Sequence, residues 1–546
     1  MESRFCLGSV NKMNRAKIAL ITTHQIDLGI RTLAGSLKGE IDYILLNLST
    51  GNQEFSHKYS EQVIDQVSDL IKDCDFIGFS AIDLYFQRAT NLAQQLKKRL
   101  SIPVIFGGIH AIMYPEECIK YADAVCIGEG DISLKELILN WETRYTTMKA
   151  NFWLKKGRKI IKLPRERLIK DLDRLPMPDF SFDKYFALYN NRLVNIRRRK
   201  YRPHLEHHQI GHKNTIIYAS DRGCPNSCSY CYNRNLREIF RCPGKEYLRQ
   251  KSVARIITEL KKLKKDSPWA DFLNLMNDDT AARSEDEIRA FSKMYKKEIR
   301  LPFYCMVSPQ TITDNKIRNL IAAGCVELNV GIQTNETVNY EIYQRFTSDA
   351  LILSRVKLLN KYCNKIKLFY DFIINNPGET EEQTVRTIDL IKQIPLPFDV
   401  VTHNLCLGKG SALYQRFKKQ GIITKHSKIF DSDYHDFGKN INEHSHNDNF
   451  YVNLIMDWIS GLHSKKMIGR LPREKAELKY FKPFKPLFGK SDFRNLFNES
   501  DEMSTLDFLL SNDVKHYLKE NPKILFKIRV SLPSIVYSNS GHCATI

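Results

Sequence analysis

Three cysteines crowd the segment Asp221-Arg-Gly-Cys-Pro-Asn-Ser-Cys-Ser-Tyr-Cys-Tyr-Asn233, with x3 and then x2 between Cys224, Cys228 and Cys231. One loop with three thiols at that spacing can wrap a small metal cluster, and thiolates are natural ligands of iron–sulfur centres. A four-iron cubane held by only three cysteines keeps one iron open, and an open coordination site implies chemistry. Zinc is the rival reading. A structural zinc wants a closed set of four ligands, and the nearest spare thiol, Cys242, is poorly placed to complete one. The other cysteines, among them Cys74, Cys126, Cys305, Cys325 and Cys406, sit in apolar strand-like runs and read as core thiols.

Elements able to position such a loop recur along the chain. From Lys17 to about Trp141, five β-branched runs (KIALIT, IDYILLNL, DFIGFSA, IPVIFGG, ADAVCIG) alternate with amphipathic stretches. That rhythm predicts an α/β fold with a doubly wound parallel sheet, which binds ligands at the carboxyl ends of its strands. A second α/β series begins near Asn214 with the runs TIIYAS, DFLNLMND, FYCMVS, VELNVGI, KLFYDFII and DVVTHNLC. Six repeats fall short of a closed eight-stranded barrel, so a partial (β/α)6 barrel is expected. The domains are then expected at 1–142, a linker with a hairpin and a basic loop at 143–213, the barrel at 214–423, and a mostly helical, basic and aromatic region at 424–546.

With Tyr230 just before its last cysteine, the triad resembles the hallmark of the radical S-adenosylmethionine (SAM) superfamily. That resemblance implies a 4Fe-4S cluster on Cys224, Cys228 and Cys231, with SAM chelated at the open iron. By the same likeness, Asp278 and Asp279 after the second barrel strand fall where the family contacts the SAM amino group. Glu327 and Gln333, in the fourth-strand segment, fall near its ribose or methionine, with Tyr230 also beside SAM. Asn376-Pro-Gly-Glu-Thr380 resembles the turn after strand five. Each motif after the triad also has a structural explanation, since acidic pairs cap helices and Pro-Gly makes turns.

The first unit resembles the cobalamin-binding domain that many radical SAM proteins carry at their N-terminus. Gly78-Phe-Ser-Ala-Ile82, Phe106-Gly-Gly-Ile-His-Ala111 and Ala122-Asp-Ala-Val-Cys-Ile-Gly-Glu-Gly-Asp131 carry the likeness. It implies cobalamin contacts at Ser80, Gly107, Gly108, His110, Gly128 and Glu129. The turn Thr22-Thr-His-Gln-Ile-Asp-Leu-Gly29 lacks the D-x-H-x-x-G spacing that brings a histidine to cobalt, so His24 reads as an ordinary loop residue. The group His204, His207, His208 and His212 reads as part of a solvated basic loop.

Net charge is +21, from 83 basic and 62 acidic residues. It fits an acidic substrate, with nucleic acid as a less favoured partner. No run of about eighteen apolar residues occurs, so no membrane span is expected. The first residues lack a leader's apolar stretch, so a cytoplasmic location is expected. The two resemblances together imply a cobalamin-dependent methyltransferase acting on an unactivated carbon, fed by an electron donor of flavodoxin or ferredoxin type. The alternatives are a radical rearrangement or cyclisation without methyl transfer, and a protein whose cobalamin site is degenerate.

Overall fold

The computed structural model describes residues 15–423, apart from 25–26, 50–57, 198–213 and the single positions 243, 375, 396 and 406. The expected helical region at 424–546 and the histidine group at 204–212 lie outside the described residues. Two compact units emerge, one of residues 1–166 with 174–202, the other of 167–173 with 203–546.

In the first unit the five expected strands are β1 (Lys17–Thr22), β2 (Asp42–Asn47), β3 (Phe76–Ser80), β4 (Val104–Gly107) and β5 (Ala124–Cys126). All five run parallel, in the order β5-β4-β3-β1-β2. Their near-continuous apolar runs suit a sheet covered on both faces: Ile18, Ala19 and Ile21 of β1 are wholly buried. The segment expected to link the units instead extends this sheet at both edges. The hairpin β6 (Phe152–Lys156) and β7 (Lys159–Lys162) pairs antiparallel with β5, and β8 (Tyr185–Tyr189) with β9 (Arg192–Asn195) adds to β2. Alternation in FWLKK and YFALY, one face buried and one half-buried, is the signature of such edge strands.

The second unit holds β10 (Thr215–Tyr218), a two-residue ladder of β11 (Asp221–Arg222) with β12 (Arg249–Gln250), then β13 (Phe272–Leu275), β14 (Phe303–Val307), β15 (Cys325–Gln333), β16 (Lys367–Ile374) and β17 (Asp399–Asn404). Six of these form one parallel sheet in sequential order, β10-β13-β14-β15-β16-β17, as a partial barrel requires. Helices follow the strands and start on oxygen-bearing caps. Ser252, Ser284, Thr313, Ser348 and Thr380 each accept a backbone N–H of the helix they open, worth about 1 kcal/mol apiece. One barrel face packs on these helices through Phe303, Cys305, Leu328 and Val330, all buried. The opposite face, on alternate residues of each strand, lines the lumen. Among the described residues no helix is long and apolar enough to cross a membrane.

Candidate active site

The triad sits on the loop after β10, just before the helix Tyr232–Ile239. Two tethers fix its entry. Asn277 at the end of β13 accepts the backbone N–H groups of Ser220 and Asp221 at 2.9 and 3.3 Å, and Arg283 pairs with the buried Asp221. Gly223 then turns the chain with φ +87°. Within the loop, Arg237 binds the carbonyls of Cys224 and Asn226 at 2.8 and 3.3 Å. From the barrel wall, Ser229 donates to the Ile342 carbonyl at 2.7 Å.

Burial pushes the thiols of Cys224 and Cys231 up, Cys231 to about 12, and the charges of neighbouring thiols and of Asp278 push the same way. The three sulfurs thus sit close enough to feel one another. A cluster of several irons separates its thiolates more widely than one zinc with bonds of roughly 2.3 Å. A bound metal cation would hold these thiols ionised. Donor set and spacing therefore fit an iron–sulfur cluster.

One residue here escaped the sequence reading. Arg345 reaches the Cys228 sulfur at 3.5 Å with Nη1 and the Gly331 carbonyl at 2.8 Å with Nη2, while its buried Nε meets no acceptor. Its only signal was a buried cation some distance along the chain, which no local pattern links to the triad. Tyr230 lies beside Cys228, its ring edge-on to Tyr343 at 4.9 Å. Asp278 accepts from Asn233 at 3.1 Å and lies near Cys224 and Cys231. Asp279 caps the turn Thr280–Ala282 and accepts from Thr311 at 2.9 Å. Gln333, at φ +75°, folds back over Gly331 beyond a register shift in β15. Glu327 points into the barrel lumen two turns of the pleat below Gly331, away from the triad's own loop. The Pro377-Gly-Glu-Thr turn has a local explanation: Thr380 and Gln383 form a capping box, and a side chain on Gly378 would strike Phe417 at 2.5 Å.

Burial raises the Asp279 carboxyl to about 6, against hydrogen bonds from Ser308 and Thr311 that pull it down. The fold thus prefers the protonated form, so the stability this group contributes is complete below pH about 4 and is lost as the pH rises through 6. Moving from 3.8 to about 6 amounts to about 3 kcal/mol. Asp279→Asn keeps an oxygen for the Ala281 N–H, which Asp279 holds at 3.2 Å. Urea titrations of the cofactor-free protein should find the variant equal to the parent near pH 4 and more stable by up to that amount above pH 6.

In the first unit, Ser80 ends β3 with its hydroxyl 3.7 Å from where a side chain on Gly29 would begin and 3.3 Å from one on Gly108. Gly107 has room for a Cβ, meeting only Cys126 at 3.7 Å. The carboxyl ends of β3 and β4 are thus bare of side chains around one hydroxyl, which fits the nucleotide tail of a bulky cofactor. Gly108 also serves the fold, with φ +88° and the Ala81 carbonyl 2.7 Å from its would-be Cβ. His110 and Gly128 are held by the domain itself. His110 is 5% exposed, hydrogen-bonds Asp83 through Nδ1, stands 3.6 Å from Glu117 and stacks on Phe86 at 3.7 Å. Gly128 makes room for Asn151, whose Oδ1 would lie 2.3 Å from a Cβ there. Glu129 is buried and opens the helix Gly130–Leu139.

The B12 binding domain family matches residues 15–138, and the Radical SAM superfamily matches residues 220–391. The chain is a cobalamin-binding-domain radical SAM protein. Its cofactors are accordingly a 4Fe-4S cluster, SAM and cobalamin, and the donor sets above fit the cluster and the cobalamin tail. A tRNA-2-methylthio-N(6)-dimethylallyladenosine synthase of Syntrophotalea carbinolica is 23% identical over 179 residues, covering 32% of this chain and 39% of the relative. The cobalamin-dependent radical SAM methyltransferase TokK of Streptomyces tokunonensis is 23% identical over 175 residues, covering 31% and 23%. The matched stretches thus span well under half of these relatives' length. Among solved structures, the radical SAM methyltransferase TsrM of Kitasatospora setae, with cobalamin and a [4Fe-4S] cluster bound, superposes with a TM-score of 0.56 at 14% identity, over 74% of this chain and 78% of that one. That similarity is one of fold.

Proposed function

We propose that this cobalamin-dependent radical SAM protein is a methyltransferase acting on an unactivated carbon of its substrate. The observation that carries the reading is the presence, in one chain, of an intact cysteine triad and a side-chain-free cradle at the carboxyl ends of β3 and β4. When bound, the cofactors supply hydrogen-atom abstraction and a methyl donor. The chain's residues do the rest. Cys224, Cys228 and Cys231 hold the cluster, and Arg345 neutralises charge at Cys228. Asp278 and Asp279 offer carboxylates to the SAM ammonium, with Tyr230, Glu327 and Gln333 as its further contacts. Ser80, Gly107 and Gly108 seat the cobalamin tail, with His110, Gly128 and Glu129 shaping the same strand ends. An electron donor of flavodoxin or ferredoxin type is the redox partner. Net charge of +21 and the tRNA-modifying relatives make RNA the second substrate to try, and a salt-dependent gel shift tests it.

A methylase uses two SAM molecules per turnover, one as methyl source and one as radical source. S-adenosylhomocysteine and 5′-deoxyadenosine should therefore appear in nearly equal amounts, and methyl-deuterated SAM should carry three deuterons into product. Product of unchanged carbon count, formed with 5′-deoxyadenosine alone, would replace this reading with rearrangement or cyclisation.

A further inference from the structure

We propose that the barrel lumen takes a protonated amine of the substrate. This deepens the methyltransferase reading and rests on it. Parallel pairing puts Asn274, Tyr304, Glu327 and Lys367 in one register row, so all four side chains leave the sheet on the same face. Asn329, Asp371 and His403 follow on that face, one, two and three pleats nearer the strand ends. The helix-packed face is the other one, since Phe303 beside this row packs on Phe291 and Tyr295 of the preceding helix. These polar groups therefore line the lumen.

Their chemistry is one-sided. Glu327, Asp371 and Asp399 bring carboxylates, all from residues under 9% exposed. Lys367 is already committed to Asp399 at 2.8 Å, at the amino-terminal end of the strands. His403 stands 3.4 Å from Asp371. Toward the mouth, Asp278 and Asp279 add more negative charge, and Arg345 is engaged with Cys228 and Gly331. A chain of net charge +21 thus has an acidic barrel interior.

A second observation points to a ligand. Asn274 is 2% exposed and Asn329 6%, and the side-chain oxygen of each accepts no hydrogen bond. The orientation of Asn329 is fixed, because its amide nitrogen donates to Asp371 at 2.9 Å and to Tyr304 at 3.0 Å, and a carboxylate requires a donor. Its oxygen must then present a lone pair inward. Buried acceptors without donors are rare in folded proteins. Two of them on the same face as Glu327 and Asp371 call for a ligand that brings several donors and positive charge, which an alkylammonium does and a carboxylate or phosphate does not. The acidic substrate expected from net charge has no counterpart here.

The test uses the full chain, reconstituted anaerobically with cluster, cobalamin and SAM, and three probes of one size: n-butylammonium, butan-1-ol and butyrate. Binding is measured by saturation-transfer NMR. Butylammonium should bind at least tenfold more tightly than butanol, with no binding of butyrate. Asp371→Asn should weaken butylammonium about tenfold and leave SAM affinity within twofold. Because buried carboxylates can be needed for folding, Asn274→Leu is the second variant. It removes an unpaired acceptor, so it should raise the thermal midpoint while weakening butylammonium severalfold. Equal binding of butylammonium and butanol, or a parallel loss of SAM affinity in the variants, would overturn the proposal. Release of 5′-deoxyadenosine under reductant in the same preparation judges the radical chemistry separately. If it forms while butylammonium shows no preference, only the amine site falls.

Discussion

Replacing Cys224, Cys228 or Cys231 by Ala should abolish the iron–sulfur chromophore and drop reductive SAM cleavage below detection, with the far-ultraviolet circular dichroism unchanged. The physical reason is the number of ligands. Three thiols hold the cluster, and each loss leaves one iron without its cysteine ligand. The fold should survive, since Cys224 and Cys231 are only partly buried and the loop is tied through Ser229, Arg237 and Asn277 instead. Cys242 and Cys363, both partly exposed, provide controls that should retain full iron. Arg345→Met should fall between, because a neighbour of a ligand typically alters metal affinity or activity by about 10–100-fold. Full iron loss in Cys242→Ala would mean that a fourth protein ligand closes the cluster, and the open-iron assignment would fail.

Most of what positions this site was legible as pattern. The eleven strands of the two parallel series, three to nine residues long, announced themselves as β-branched runs, and the triad by its spacing. Sequence also held a signal that was passed over. In a parallel sheet covered on both faces, runs such as VELNVGI and KLFYDFII should be apolar throughout. Glu327, Asn329 and Asp371 interrupt them at two-residue spacing on one face, which marks a lumen rather than a core. Other features were not legible, for identifiable reasons. Arg345 meets Cys228 across 117 residues of chain, and only the barrel's closure brings them together. Gly128 looked like part of a ligand-binding run, whereas its missing side chain makes room for Asn151 from the edge hairpin. That hairpin was itself read as linker, because short amphipathic strands carry little signal until a sheet edge accepts them.

The second large effect is expected at Gly223, which contributes no ligand at all. It holds φ +87°, and a Cβ there would lie 2.4 Å from the Tyr247 carbonyl and 2.9 Å from two ring atoms. Tyr247 cannot yield. It is fully buried, its hydroxyl donates to Asn233 at 2.9 Å, and Asn233 in turn donates to Asp278 at 3.1 Å. The glycine therefore lets the chain pass against Tyr247 and delivers Cys224 to the triad, while the same tyrosine steadies the Asp278 carboxylate. Left-handed backbone at a non-glycine residue costs about 1–2 kcal/mol, and forcing atoms into a packed site typically adds about 1–3 kcal/mol. Gly223→Ala should thus lose roughly 2–5 kcal/mol locally, which the loop can relieve by moving Cys224 away. Iron retention and SAM cleavage should fall by at least tenfold although all three cysteines remain. Gly39→Ala isolates the backbone contribution, since Gly39 has φ +94° and no atom within 4 Å of its would-be Cβ; it should lower the melting temperature slightly and leave iron content intact. Because the nearest obstacle is a main-chain carbonyl, adding Tyr247→Leu to Gly223→Ala should bring no rescue. A Gly223→Ala protein with parental iron content and cleavage rate would show that the loop before Cys224 is set by something other than this passage.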